Sequence, residues 1–194
     1  MFKVKVSQQL KTYCEQQGQI YNLGQRYTAN GNPEQQLTGI IGQSVVMELF
    51  GEKWFDGKNG FDSGVDLVYA NKKIDIKTMG RTTDVRKDYT NNFLALQDYF
   101  DTDIYIFCSY HKINMELTIC GWIDKTEFQQ KRRLYPAGSI RNRSDGTNFR
   151  TFADLYEIDI KDLHDVQNID DLKQQLNSLC CLLYTSPSPR DISG

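Results

Sequence analysis

Three side chains form a group able to do chemistry: Asp66, Asp75 and Lys77, in the stretch GVDLVYANKKIDIKTMG. Asp75 and Lys77 are two apart, so in a strand they leave one face while Ile74 and Ile76 take the other. Val65 to Tyr69 and Lys73 to Met79 alternate apolar and polar around a turn-like Ala70-Asn71-Lys72, which predicts a β-hairpin. Such a turn would bring Asp66 beside Asp75. Two carboxylates and an ammonium at a sheet edge suit a hard divalent cation. Mg²⁺ prefers oxygen ligands and usually takes one or two protein carboxylates plus waters and phosphate oxygens. The cation polarises a phosphate and acidifies a bound water. The lysine can orient that water or balance charge building on the phosphate. The plain alternative is a solvated strand face with a cross-strand ion pair.

Other charged and aromatic residues are grouped less tightly. Lys131, Arg132 and Arg133, followed by Arg141, Arg143 and Arg150, make the densest basic cluster. Tyr135 and Phe149 lie within it, so it could grip phosphates and stack exposed bases. Arg81, Arg86 and Lys87 follow the hairpin and offer further backbone contacts. His111 and His164 are isolated, and Trp122 reads as core. The five cysteines, Cys14, Cys108, Cys120, Cys180 and Cys181, show no CxxC pairing, which argues against disulfides. Cys108 and Cys120 lie in apolar runs and read as buried small hydrophobes.

The elements that must hold these residues follow from periodicity and turn chemistry. Phe2 to Val6 suits a strand, and Ser7 can cap a helix through about Gln16. Gly18 to Gly31 reads as irregular. Pro33 fits the first turn of a second helix. Its apolar positions, Leu37, Ile40, Ile41, Val45, Met47 and Leu49, stop at Gly51, and Gly39 and Gly42 would let it approach a sheet closely. Trp54 to Gly64 reads as loop. Phe93 to Tyr99 suits a strand or a short helix. Ile104 to Tyr110 and Met115 to Ile123 read as strands joined at His111-Lys112. Asp124 or Thr126 can cap a helix through about Leu134, and Pro136 to Phe149 reads as loop. Tyr156 to Ile160 is a late strand, and Asn168 can cap a last helix through about Leu179. The order predicts one α/β domain around one mixed sheet.

Composition sets the bounds. The chain has 194 residues, 39% hydrophobic and 25% charged, which suits one globular domain. No apolar run approaches the roughly eighteen residues of a membrane span. The N-terminus lacks the apolar run of a secretory signal, so an intracellular protein is expected. A net charge of −2 excludes a broad basic surface, so any nucleic-acid affinity must come from local clusters.

The spacing of Asp66, then nine residues on Asp75-Ile76-Lys77, resembles the motif of the PD-(D/E)XK, or restriction-endonuclease-like, nuclease superfamily. Val65 stands at the motif's proline position, and a Gly-rich GFDSGVD precedes the first aspartate. DIYIFCSY followed by LTICGWI is similar, less specifically, to small phage-type members. The resemblance covers about Pro33 to Ile123. It implies a mixed sheet flanked by helices and a metal-dependent deoxyribonuclease using Mg²⁺ or Mn²⁺. Asp66 and Asp75 would be metal ligands and Lys77 catalytic. Family members usually present a Glu from the upstream helix. Here that place holds Gln43, with Glu48 or Glu34 as substitutes, which puts a second metal in doubt. Many members also place a polar residue beside the metal on the third strand, here Gln97. DNA as partner, no membrane, action on DNA structure or ends or else as a homodimer in the absence of a recognition domain, and the cytoplasm of a bacterial host cell would follow. Replication, recombination, repair or phage DNA metabolism would be the setting. Two alternatives stand beside this reading. One is a catalytically degenerate nucleic-acid binder, and the other is a phage protein that blocks a host defence factor. Cys181 to Asp191, CLLYTSPSPRD, resembles one reading frame of a transposase-type sequencing adaptor. The domain is therefore expected over 1–180, with 181–194 as a non-native tail.

Overall fold

The computed structural model describes residues 1–21, 32–59, 64–142 and 146–182. It has four helices and a curled mixed sheet of five strands, with two smaller antiparallel sheets. Strand β1 (Phe2–Lys5) leads into helix α1 (Gln8–Ile20), whose N-cap Ser7 accepts from the Leu10 N–H at 3.1 Å. The helix runs four residues past its expected end. Gln17 and Gly18 are held there by tertiary contacts: the Gln17 amide oxygen accepts from the Gly57 N–H at 2.9 Å, and Gly18 faces Ile40. The rest of the segment read as irregular, 22–31, lies outside the described residues, as do 60–63 of the expected Trp54–Gly64 loop.

Helix α2 (Pro33–Phe50) starts on a capping box, with the Asn32 side chain and Gln35 each accepting the other's backbone N–H. It ends at Gly51, where φ is +87° and a side chain would be strained. The hairpin of β2 (Leu67–Tyr69) and β3 (Lys72–Arg81) turns on Ala70 and Asn71, both at positive φ. That is the turn geometry whose twist matches paired strands. Helix α2 lies across β3. A Cβ at Gly42 would sit 1.9 Å from Thr78 Oγ1, so glycine sets the approach of helix to sheet there. Gly39 has open space instead and plays no such part.

After β3 comes β4 (Thr90–Leu94), followed by a 3-10 turn over Ala95–Gln97. Strands β5 (Ile104–His111) and β6 (Glu116–Asp124) form the centre of the large sheet. Strand β5 runs parallel to β3 and antiparallel to β6. The sheet order is β1-β6-β5-β3-β2. Asp124 caps α3 (Lys125–Lys131), which ends three residues short of Leu134 because Arg133–Tyr135 is β7. The expected loop from Pro136 to Phe149 contains a small hairpin of β8 (Ile140–Asn142) and β9 (Asn148–Arg150). Strand β10 (Leu155–Asp159) pairs with both β4 and β7 as a second sheet. Helix α4 (Ile169–Leu182) closes the fold, with the Asn168 side chain accepting from the Asp171 N–H.

Two cores result. One lies between α1, α2, α4 and the large sheet and includes Ile41, Val45, Ile74, Ile76, Ile106 and Leu172. The other lies between the large sheet and the β4-β10-β7 sheet. It is aromatic, with Phe93, Tyr105 and Phe128 ring centroids 5.0–5.1 Å apart. Cys14, Cys108 and Cys120 are buried free thiols, as expected for Cys108 and Cys120. Burial pushes the Cys14 thiol up to about 11 and the Cys120 thiol up to about 12. No described helix is long and apolar enough to cross a membrane.

Candidate active site

Strand alternation sends Ile74 and Ile76 under α2 and leaves Asp75 and Lys77 on the side of the second sheet. Because β2 has three residues, it covers β3 only from Lys72 to Ile74. Beyond that point Asp66 takes over the edge. Its backbone N–H donates to the Ile74 carbonyl at 2.8 Å, and its Oδ2 accepts from the Ile76 N–H at 2.6 Å. Asp66 is therefore fixed to the residues on both sides of Asp75. The Lys77 ammonium lies 2.6 Å from Asp75 Oδ2 and 5.3 Å from the centre of the Phe93 ring. Lys77 is thus paired with Asp75, and Asp66 is held against the backbone on either side of Asp75.

The surroundings differ from a solvated strand face. Asp75 is 2% exposed, and its register partner on β5 is Tyr105. A buried charge is tolerated when paired and hydrogen-bonded, and Lys77 supplies the countercharge. Burial pushes the Tyr105 phenol up, and the nearby charges of Asp75 and Asp98 add to that. Asp98 in turn is held below the usual carboxylate range by its hydrogen bond to Arg132, 2.6 Å away. One buried phenol thus feels both the Asp75 carboxylate and the Asp98–Arg132 pair.

Other candidates fall elsewhere. Glu48 is exposed on α2, the helix that covers the opposite face of β3 from Asp75. Glu34 pairs with Lys112 at 2.5 Å. Gln97 is buried at the end of the 3-10 turn, one residue before Asp98, rather than on a strand. Among the described residues no three or more His, Cys, Asp or Glu side chains are placed to hold a metal ion. The donor chemistry that remains is the two-carboxylate set of Asp66 and Asp75. That set fits Mg²⁺ or Mn²⁺ in kind, since such ions keep most of their shell as water and phosphate oxygen.

The basic cluster is committed internally. Lys131 pairs with Glu127, Arg132 with Asp98, Arg133 with Asp159, and Arg141 with Glu157 through two bonds of 2.7 and 2.8 Å. Arg150 donates to the Gly138 carbonyl. Arg141 also stacks over Tyr135, 3.7 Å from its centre. Arg143 lies outside the described residues. Much of the cluster is thus ion-paired with acids from α3, β10 and the Gln97–Asp98 turn. His164 stacks on Trp122 and meets Glu127 at 2.6 Å, and the His111 ring nitrogen accepts from the Asn114 N–H. Trp122 is buried, as expected.

Sequence reasoning passed over Tyr105 and Asn91. Both are buried on the second-sheet side, and their side-chain polar atoms have no hydrogen-bond partner. Neither carries a motif: Tyr105 is placed by its pairing with Asp75 across β5 and β3, and Asn91 by the packing of β4 against β3. No family model, curated protein or solved structure matches the chain.

Proposed function

We propose that the chain is a metal-dependent deoxyribonuclease of the restriction-endonuclease-like fold, hydrolysing DNA phosphodiester bonds. The observation that carries this reading is the clamping of Asp66 on both sides of Asp75, with the Lys77 ammonium 2.6 Å from Asp75. Asp66 and Asp75 would hold Mg²⁺ or Mn²⁺, which supplies Lewis-acid polarisation of the phosphate and an acidified water. The chain's own residues do the rest. The Ile76 N–H orients the Asp66 carboxylate. Lys77, beside Asp75, would turn its ammonium toward the phosphate oxygens. The Phe93 face beside it keeps the ammonium poorly solvated, which strengthens its pull on developing negative charge. DNA metabolism in a phage or its bacterial host is the setting this reading implies.

A second reading, a nuclease-fold protein that binds nucleic acid without cutting it, is favoured by two observations: Asp75 is 2% exposed, and Glu48 sits on the other layer. The two part in one assay. The protein is incubated with labelled single-stranded, duplex and branched DNA in Mg²⁺, Mn²⁺ or EDTA, beside Asp75→Ala. Cutting that needs metal and disappears in Asp75→Ala supports the nuclease. Retained binding without cutting on any substrate moves the function to the binder.

A further inference from the structure

The layer between β3 and β4 holds a second feature. On its β4 side β3 presents Asp75, Lys77, Met79 and Arg81 in alternation. Strand β4 follows this stripe: Phe93 lies under the Lys77 ammonium, the Asn92 N–H reaches Met79 Sδ at 3.3 Å, and the Thr90 carbonyl accepts from Arg81 Nη2 at 2.7 Å. Asn91 shares the inward face of β4 with Phe93 and is fully buried, yet neither its amide nitrogen nor its amide oxygen has a hydrogen-bond partner. Leaving such a group unmade costs about 1–3 kcal/mol, so an orphaned amide in a folded interior calls for an explanation.

Arg81 carries the same signal with a charge. Arg86, Arg132, Arg133 and Arg141 each pair with a carboxylate. Arg81 has none among the described residues. Its guanidinium meets the Thr90 carbonyl, Met79 Sδ and the face of Tyr89 at 5.0 Å, and its buried Nε–H has no acceptor. Burial lowers its pKa, as expected for a cation taken out of water without a counter-ion. A desolvated guanidinium and an orphaned amide donor on facing strands are the donor set that phosphate oxygens take.

We infer that Arg81 and Asn91 form a subsite for a phosphate group, on the same face of β3 as Lys77 and roughly 13 Å along the strand from it. This deepens the nuclease reading, on which it rests for its source: a backbone phosphate of the bound strand away from the one being cut. The subsite would hold the strand in register along β3. A phosphate oxygen there would give the Asn91 amide nitrogen and the Arg81 Nε–H the acceptors they lack.

The test is binding without metal. In EDTA, thermal unfolding is followed with and without inorganic phosphate, and affinity is measured for a short oligothymidylate lacking terminal phosphates. Asn91→Leu and Arg81→Met are compared with the native protein. Asn91→Leu should melt higher than the native protein, lose the phosphate-induced shift and bind the oligonucleotide about tenfold more weakly. Arg81→Met should lose the shift as well, with a shallower salt dependence of oligonucleotide binding. A phosphate shift without oligonucleotide binding would point to free phosphate as the ligand and overturn the backbone assignment. Unchanged binding in both variants, or an Asn91→Leu protein that melts lower and binds normally, would overturn the subsite. Cleavage by the native protein with no phosphate shift removes the subsite and leaves the nuclease. An Asn91-dependent shift and oligonucleotide binding without any cleavage do the reverse.

Discussion

On the α2 side of β3, Ile74 and Ile76 meet Ile41, Val45 and Ile106 in a closely packed aliphatic core, and Gly42 lets the helix come down against Thr78. On the other side, the same ten residues present Asp75, Lys77 and Arg81 to an aromatic layer that includes Phe93 and Tyr105. The first side is built for stability: burying aliphatic surface stabilises by about 25 cal/mol per Å². The second carries a buried ion pair, a guanidinium without a carboxylate partner among the described residues and the unmet polar atoms of Asn91 and Tyr105, while the first leaves the Thr78 and Tyr110 hydroxyls unmet. Each of these detracts from stability. Substitutions on the two faces should therefore have opposite signs. A strand that gains stability on one face can carry a buried ion pair and a guanidinium without a carboxylate partner on the other.

The contrast can be broken from either side. The largest effect is expected at Ile74, which is fully buried in the aliphatic core. Ile74→Ala should lower unfolding free energy by about 3 kcal/mol in urea or thermal melts. A loss below about 1 kcal/mol would mean that this face does not carry the fold. Next comes Gly42→Ala, whose methyl would collide with Thr78 Oγ1. It should cost about 2 kcal/mol, and Thr78→Ala beside it, which removes that oxygen, should recover part of that loss. On the polar face Tyr105→Phe removes a buried hydroxyl that has no partner. It should leave stability unchanged or raise it by up to about 1 kcal/mol. A loss of 2 kcal/mol or more would place Tyr105 among the supporting residues.

The smallest effect is a surface control. The N-terminal ammonium and Lys87 hold the Asp165 carboxyl down to about 2. A carboxyl with a depressed folded pKa adds stability that is present above its unfolded value, near 4, and is lost as pH falls toward 2. The carboxylate is 41% exposed, so solvent screening keeps the gain under about 1 kcal/mol. Asp165→Asn should lose that amount at pH 7 and nothing at pH 2, read from paired melts.

Much of the scaffold was legible because its signals are local. Ser7, Asn168 and Gly51 mark helix ends within one turn, and Ala70-Asn71 fixes the hairpin that aligns Asp66 with β3. The second sheet was not legible. Leu155 pairs with Leu94 on one side and Tyr135 on the other, across long stretches of chain, in strands of three to five residues. No short-range pattern encodes such pairings. The same distance hid the fate of the basic cluster: Arg132 meets Asp98 and Arg141 meets Glu157 through contacts that exist only once β10 and the 3-10 turn are in place. Asp75 itself reads as a surface carboxylate in any alternating strand. Its burial follows from the second sheet, so spacing predicted the grouping of Asp66, Asp75 and Lys77 but not the closed layer around it.

The central claim is that this group is a catalytic one, and single-turnover cleavage of end-labelled DNA tests it most directly. With Mg²⁺ or Mn²⁺ the native protein should cut, EDTA should stop it, and Asp66→Asn, Asp75→Asn and Lys77→Met should each slow the step by at least about a hundredfold, with melts showing intact folds. Cleavage at the native rate by folded Asp75→Asn would contradict the account.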